Sequence, residues 1–152
     1  LDALMTARAP SSFDLGKPNI DRLFPNFRDV EKEYYRKTQM FPIMHLMGLR
    51  KDLAEAHPWL AGSLYKAFLA SRDLAYVDIA KTAALSVALP WVDAERRDTV
   101  ALMGNDYWRY GIEECRHEIE ALARYSYTDG LSERLMTPED LFAESTFEIS
   151  KI

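Results

Sequence analysis

A single histidine, His45, lies at the centre of an apolar stretch that reads FPIMHLMGL over residues 41–49. Burying an imidazole without hydrogen-bond partners costs free energy, so such a residue is either satisfied by the fold or retained for a chemical task. Histidine is the side chain that ordinarily gains and loses a proton near neutral pH. The residue pattern alone leaves both roles open for His45.

A second polar group begins with Arg8, which follows a short apolar stretch and precedes a turn that contains Ser11 and Ser12. Ligands of open α/β sheets bind at the carboxyl ends of strands, and the planar guanidinium suits a carboxylate. The group is therefore a candidate carboxylate site. A surface arginine beside an ordinary turn is the alternative.

Aromatic residues cluster at 104–111, a segment that begins and ends with glycine and contains Tyr107 and Trp108. Aromatic rings of this kind form cores and pocket walls, and they also stack on flat ligands. Tyr107 is accordingly a candidate for contact with a substrate ring.

Common cofactor and metal motifs are absent from the sequence. It contains no glycine-rich phosphate loop, no nucleophile elbow and no CxxC pair. The three histidines, His45, His57 and His117, are on separate predicted elements and lack the spacing of metal ligands. We predict no metal residues and leave the cofactor open, a divalent metal included.

The composition, with 48% hydrophobic and 28% charged residues, is typical of a globular protein. A net charge of −5 gives no electrostatic reason to bind nucleic acid or an anionic membrane. One cysteine, Cys115, excludes an internal disulfide and fits a reducing compartment. We therefore expect a cytoplasmic protein with a small-molecule partner, and a homo-oligomer is left open.

Hydrophobic spacing and caps predict a helix-rich chain with two strands. The strands are expected at residues 1–7 and 43–49, the second covered on both faces. The helices are expected at residues 27–37, 58–86, 93–103, 112–127 and 138–143, with a short helical turn after residue 52 that ends at residue 56. Because two strands do not make an independent sheet, we expect their partners to lie upstream of residue 1.

Several short stretches, none of them a strong motif alone, form an ordered set over nearly the whole chain. They include ARAP at 7–10, RLFP at 22–25, FPIMH at 41–45, PWL at 58–60, SLYKAF at 63–68, LPW at 89–91, DYW at 106–108 and LFA at 141–143. In this order they resemble the C-terminal half of the 4,5-dihydroxyphthalate decarboxylase family.

The resemblance implies an α/β fold, a helix-rich partial periplasmic-binding-protein type II-like fold in which two lobes flank a ligand cleft. Members of that family are much longer than this chain. Residues 1–152 would then be the C-terminal portion of the two-lobed fold, and the N-terminal half would be missing. The strand at residues 1–7 would lie near the crossover between the lobes.

The resemblance also implies a carboxy-lyase that converts 4,5-dihydroxyphthalate to protocatechuate in phthalate degradation. Such a reaction needs a proton donor near the ring carbon and cations near the carboxylates. On these grounds we predict His45 as the catalytic proton carrier. The predicted substrate-binding residues are Arg8, Ser11, Ser12 and Tyr107. The alternative is a non-catalytic solute-binding protein for an aromatic or other small carboxylate, because one fold can serve both functions.

Overall fold

The computed structural model describes residues 2–147, and the regular structure in this range is helical. The helices are α1 (Ser11–Asp14), α2 (Phe27–Thr38), α3 (Lys51–Ala56), α4 (Leu60–Ala80), α5 (Val92–Met103), α6 (Ile112–Thr128) and α7 (Pro138–Leu141), followed by a 3₁₀ helix at Glu144–Thr146. Within residues 2–147, none of these helices combines the length and hydropathy needed to cross a bilayer.

The chain divides after Gln39 into two units, Leu1–Gln39 and Met40–Ile152. Gln39 ends α2 in the left-handed conformation, with φ of 56°. Its backbone N–H donates to the carbonyl of Tyr35 at 2.7 Å, and its side-chain amide donates to the carbonyls of Tyr35 and Arg36. These bonds satisfy carbonyls at the end of the helix, where no further turn can do so.

In the first unit, the predicted helix from residue 27 is confirmed as α2, and Asn26 occupies its N-cap position. The guanidinium of Arg22 lies 5.3 Å from the ring centroid of Phe13 and 4.6 Å from that of Phe27. This cation–π contact joins α1 to the start of α2. The turn predicted around Ser11 and Ser12 is instead the short helix α1.

The core of the second unit lies on α6, where Ile112, Cys115 and Ile119 are buried. Their spacing of three and four residues places them on one face of the helix. Phe142 and Phe147 pack against this face. The segment that follows α6 therefore closes the core and must be held in place.

A capping box starts α7, as the sequence pattern predicted. The hydroxyl of Thr137 accepts a hydrogen bond from the N–H of Asp140 at 3.3 Å, and the Asp140 carboxylate accepts one from the N–H of Thr137 at 2.9 Å. Arg134 also donates two hydrogen bonds to Asp140. These contacts hold the pKa of the Asp140 carboxyl well below its usual range, with the Arg134 bonds as the main cause.

The prediction that the helix from residue 58 extends to residue 86 is wrong, because α4 ends at Ala80. Lys81 leaves the helix with an extended backbone, and its ammonium pairs with Asp78. Residues 81–90 are exposed, so the apolar spacing there has nothing to pack against. Helices gain most of their stability from such packing.

The strand predicted for residues 43–49 is not seen, because residues 39–50 contain neither helix nor strand. A strand exists only when a neighbouring segment pairs with its N–H and C=O groups, and no segment within residues 2–147 does so. Residues 2–6 also lack regular structure, so the strand expected at 1–7 is not seen over the residues described. Leu1 lies outside the described range, and the α/β class and the inter-lobe crossover stay predictions.

We expect Thr137→Ala to lower the free energy of unfolding by about 1 kcal/mol, because the N-cap of α7 loses its side-chain acceptor. Urea denaturation followed by circular dichroism measures the change. The matched control is Ser145→Ala, which alters an exposed residue of the 3₁₀ helix. Equal effects of the two substitutions would contradict the role assigned to the cap.

Candidate functional site

A cavity of about 480 Å³ lies within the second unit. Its wall is formed by the irregular segment 41–49, by α4, by residues 107–111 and by α6, with Phe142 at the end of α7. The lining is mostly aromatic and aliphatic, and a volume of this order suits a small organic ligand. Apolar lining residues include Phe41, Met44, Leu64, Phe68, Trp108 and Phe142.

Arg72 of α4 fixes the aromatic segment 104–111 that forms one wall. Its guanidinium donates to a carboxylate oxygen of Asp106 at 2.9 Å and to the carbonyl of Trp108 at 3.3 Å. The same group lies 5.3 Å from the ring centroids of Tyr76 and Tyr110. With its side chain only 13% exposed, Arg72 connects α4 to the wall residues Trp108 and Tyr110 in a setting where hydrogen bonds are strong.

Two tyrosines of α4 complete this attachment. The hydroxyl of Tyr76 accepts a hydrogen bond from the backbone N–H of Trp108 at 2.8 Å. The hydroxyl of Tyr65 donates to the carbonyl of Tyr110 at 3.3 Å. Burial raises the pKa of both hydroxyls, so both are protonated at neutral pH and the Tyr65 donor is retained.

The aromatic segment begins and ends at glycines with positive φ, 85° at Gly104 and 99° at Gly111. Both have ψ near the extended range, a combination that is essentially restricted to glycine. The two glycines therefore let the chain leave α5 and enter α6 with the aromatic residues between them.

Tyr107 and His45, two of the predicted site residues, line this one cavity. The ring of Tyr107 stacks on Tyr76 with centroids 4.6 Å apart, which fixes its orientation. His45 lies in segment 41–49, which contacts the aromatic segment through Phe41 and Trp108, with ring centroids 5.4 Å apart. His45 is exposed rather than buried, so the free-energy cost of burying an imidazole does not apply to it.

Apolar side chains in the same segment are also open to solvent. Met44 is 60% exposed, Leu46 68% and Met47 64%. Exposed apolar residues in a continuous run commonly mark a surface that binds something. Here they form a wall of the cavity.

An ion pair between the half-buried Arg109 and the buried Glu118 forms one polar part of the cavity wall. Arg109 donates to an oxygen of Glu118 at 2.5 Å, and the Glu118 side chain is 5% exposed. Beside it, the thiol of Cys115 donates to the carbonyl of Arg109, with 3.6 Å between sulfur and oxygen. Burial, followed by the charge of Glu118, raises the pKa of Cys115 to about 11.

Glu118 and Arg109 also line the cavity, and neither is among the predicted site residues. Residues 113–120 contain several carboxylates, so the one on the buried face of α6, Glu118, did not stand out from its exposed neighbours. The signal was present: Glu118 follows Cys115 by three residues and Ile112 by six, on the apolar stripe of α6. A charged residue on such a stripe requires a partner, because an unpaired buried charge is costly.

The other predicted site residues lie in the first unit. Arg8 is exposed, and its backbone N–H donates to the Thr6 hydroxyl at 3.2 Å. Ser11 and Ser12 begin α1, whose N-cap is Pro10. Their binding of a substrate carboxylate stays a prediction.

No group of three or more histidine, cysteine or acidic residues within residues 2–147 is arranged to hold a metal ion.

We expect Arg72→Lys to lower the free energy of unfolding by about 1.5–3 kcal/mol, because an ammonium cannot reproduce the hydrogen bonds and ring contacts of the guanidinium. Urea denaturation measures the loss. Arg97→Lys is the control, since Arg97 pairs with Asp93 but its side chain is 69% exposed. That control should lose at most about 1 kcal/mol. A similar small loss for both variants would show that Arg72 does not fix the wall.

Cys115 should react slowly with iodoacetamide at about pH 8, roughly 100-fold more slowly than in the unfolded chain, because only the thiolate is reactive. Because the pKa of Cys115 is raised, its modification rate in the native protein should increase as the pH rises from about 8 towards 11. Mass spectrometry follows the modification, and the same protein in concentrated urea is the control. Equal rates in the native and unfolded protein would contradict this account.

The comparisons with known proteins agree with the resemblance seen in the sequence. No protein-family model matches the chain. The chain is 40% identical over 152 residues to a 4,5-dihydroxyphthalate decarboxylase of Comamonas testosteroni. The match covers 100% of this chain and 46% of that relative, so the chain spans about half the length of the protein it resembles.

Proposed function

We propose that this chain takes part in the decarboxylation of 4,5-dihydroxyphthalate, or a related hydroxylated aromatic dicarboxylate, to protocatechuate. The observation that carries the proposal is the 40% identity along all 152 residues to a protein of that name. The cavity supports it, because apolar and aromatic walls with a few polar groups suit a flat ring.

The reaction itself defines what the protein has to supply. The ring carbon that bears the departing carboxylate first takes one proton. Its bond to the carboxylate then breaks, CO₂ leaves, and the electron pair of that bond restores the aromatic ring, so substrate dianion and proton give protocatechuate anion and CO₂. A hydroxyl para to the departing carboxylate donates electron density to the same carbon. A proton donor at the ring and an acceptor at the hydroxyl therefore favour the reaction.

His45 is the proposed proton donor. It lines the cavity and is exposed, so its imidazole exchanges protons with solvent between turnovers. Tyr107 is proposed to contact the ring of the substrate from the aromatic wall. Arg8, Ser11 and Ser12 are proposed to bind a carboxylate, in accordance with their residue chemistry.

The deciding experiment uses the protein as its gene encodes it, with 4,5-dihydroxyphthalate as substrate. Chromatography follows protocatechuate, with and without a chelator. Formation of protocatechuate supports the proposal, and its loss with chelator adds a metal requirement. Tight binding without product would overturn the enzyme assignment in favour of a solute-binding protein.

We expect His45→Ala to lower kcat by about 100-fold or more while the protein stays folded, because proton transfer by a positioned side chain is worth that much. Segment 41–49 contains no helix or strand, so shortening the side chain of His45 should leave the circular dichroism spectrum unchanged. His117→Ala is the control, since His117 is exposed on α6 and does not line the cavity. Unfolding of His45→Ala, or full activity, would contradict the proposed role.

A further inference from the structure

Two of the six methionines, Met44 and Met47, lie in the irregular wall of the cavity with most of their side chains open to solvent. Both residues line the cavity, and their exposed fractions are 60% and 64%. Leu46 between them is 68% exposed. Apolar side chains that stay exposed beside a cavity offer contact surface to the molecule that fills it.

The backbone of segment 41–49 does not tie these side chains to the helices. Within residues 2–147, no hydrogen bond between backbone groups involves this segment. Its ring contact with the rest of the wall is that of Phe41 with Trp108. A methionine side chain is unbranched and turns about several bonds, so it adapts to the shape of its neighbour. Both thioethers can therefore settle on a ligand without the loss of any helix.

The proposed reaction brings the ring of the ligand to the same segment. His45, the proposed proton donor, directly follows Met44 and precedes Met47 by two residues. A proton donor has to lie within hydrogen-bond reach of the atom that it protonates, directly or through one water. A ring that His45 can protonate therefore lies beside the wall that carries both methionines.

We propose that the thioethers of Met44 and Met47 contact the ring of the bound ligand, and that their oxidation to sulfoxides weakens its binding. The class of ligand, a hydroxylated aromatic acid, rests on the proposed function. Thioether sulfur makes favourable contacts with aromatic rings.

The oxidation uses hydrogen peroxide as the oxidant. Each sulfur takes one oxygen atom from one peroxide molecule, so the thioether is oxidised to the sulfoxide and the peroxide is reduced to water. The sulfoxide is polar, and oxidation of this kind disrupts methionine-rich contact surfaces. A polar group that faces an apolar ring without a hydrogen-bond partner disfavours the complex.

The test measures the Kd of protocatechuate by isothermal titration calorimetry, on the protein as its gene encodes it, before and after peroxide treatment. The peroxide is removed before the titration, and peptide mass spectrometry locates the sulfoxides. We expect the treated protein to bind about 10-fold more weakly or worse, because of the unsatisfied polar groups. Reduction by the two methionine sulfoxide reductases, one for each sulfoxide epimer, should restore the original Kd.

Leucine is the matched replacement, because it is apolar, similar in volume and unable to form a sulfoxide. The double variant Met44→Leu/Met47→Leu should bind within about three-fold of the wild type and keep its Kd after peroxide treatment. Cys115 is present in this variant, so its thiol is controlled for. Met5→Leu is the second control, since Met5 is 100% exposed and does not line the cavity. This variant should lose affinity as the wild type does.

Protection by the ligand tests the contact itself. Saturating protocatechuate should slow the oxidation of Met44 and Met47 by roughly five-fold or more, because a contacted thioether is less accessible to the oxidant. Each rate is divided by that of Met5, which corrects for peroxide that the catechol consumes. Equal protection of all three methionines would contradict the contact.

The remaining outcomes separate this inference from the proposed function. Sulfoxides at both positions with an unchanged Kd would overturn the inference, as would loss of affinity in the peroxide-treated double variant or the absence of protocatechuate binding to the untreated wild type. Turnover of 4,5-dihydroxyphthalate is measured separately on untreated protein. Turnover with a peroxide-insensitive Kd overturns the inference alone, whereas peroxide-sensitive binding without turnover overturns the proposed function alone.

Discussion

The geometry of the cavity depends on the guanidinium of Arg72. From the middle of α4 it binds Asp106 and the carbonyl of Trp108, and it lies against the rings of Tyr76 and Tyr110. Trp108 in turn contacts Phe41, the first residue of the irregular wall. A single α-helix thus determines, through one side chain, where two non-helical walls lie. Planar, multidentate donors are suited to this task, and an ammonium is not.

The second constraint is electrostatic and lies on the opposite part of the wall, at α6. Arg109 lies three residues before the start of this helix and Glu118 is within it, so the pair connects the aromatic segment to the helix that carries the core. A buried ion pair of this kind is weak evidence for stability, because desolvation offsets much of the attraction.

Local signals in the sequence were sufficient for the helices whose ends have their own chemistry. Thr137 and Asp140 form the expected capping box, and Pro138 begins α7. The apolar composition of residues 41–49 predicted a strand that the structure does not show, because composition cannot reveal whether a pairing partner is present. His45 and Tyr107 were predicted from residue type and position, and both line the cavity, while their roles stay predictions. Glu118 was missed because neighbouring exposed carboxylates on α6 obscured its register, although its spacing from Cys115 places it on the buried face.

Segment 41–49 combines an irregular backbone with solvent-exposed side chains such as Met44 and Met47. Residues such as Ile112 and Ile119 on α6 both form the core of this unit and line the cavity, so a substitution there alters core packing and the shape of the cavity together. In segment 41–49 core packing and cavity shape are separated, because its side chains contribute to the cavity while its backbone supports no helix or sheet. Flexible methionines add tolerance, since they adjust to differently shaped rings. This wall is therefore where the shape of the cavity can change while the helical framework stays the same.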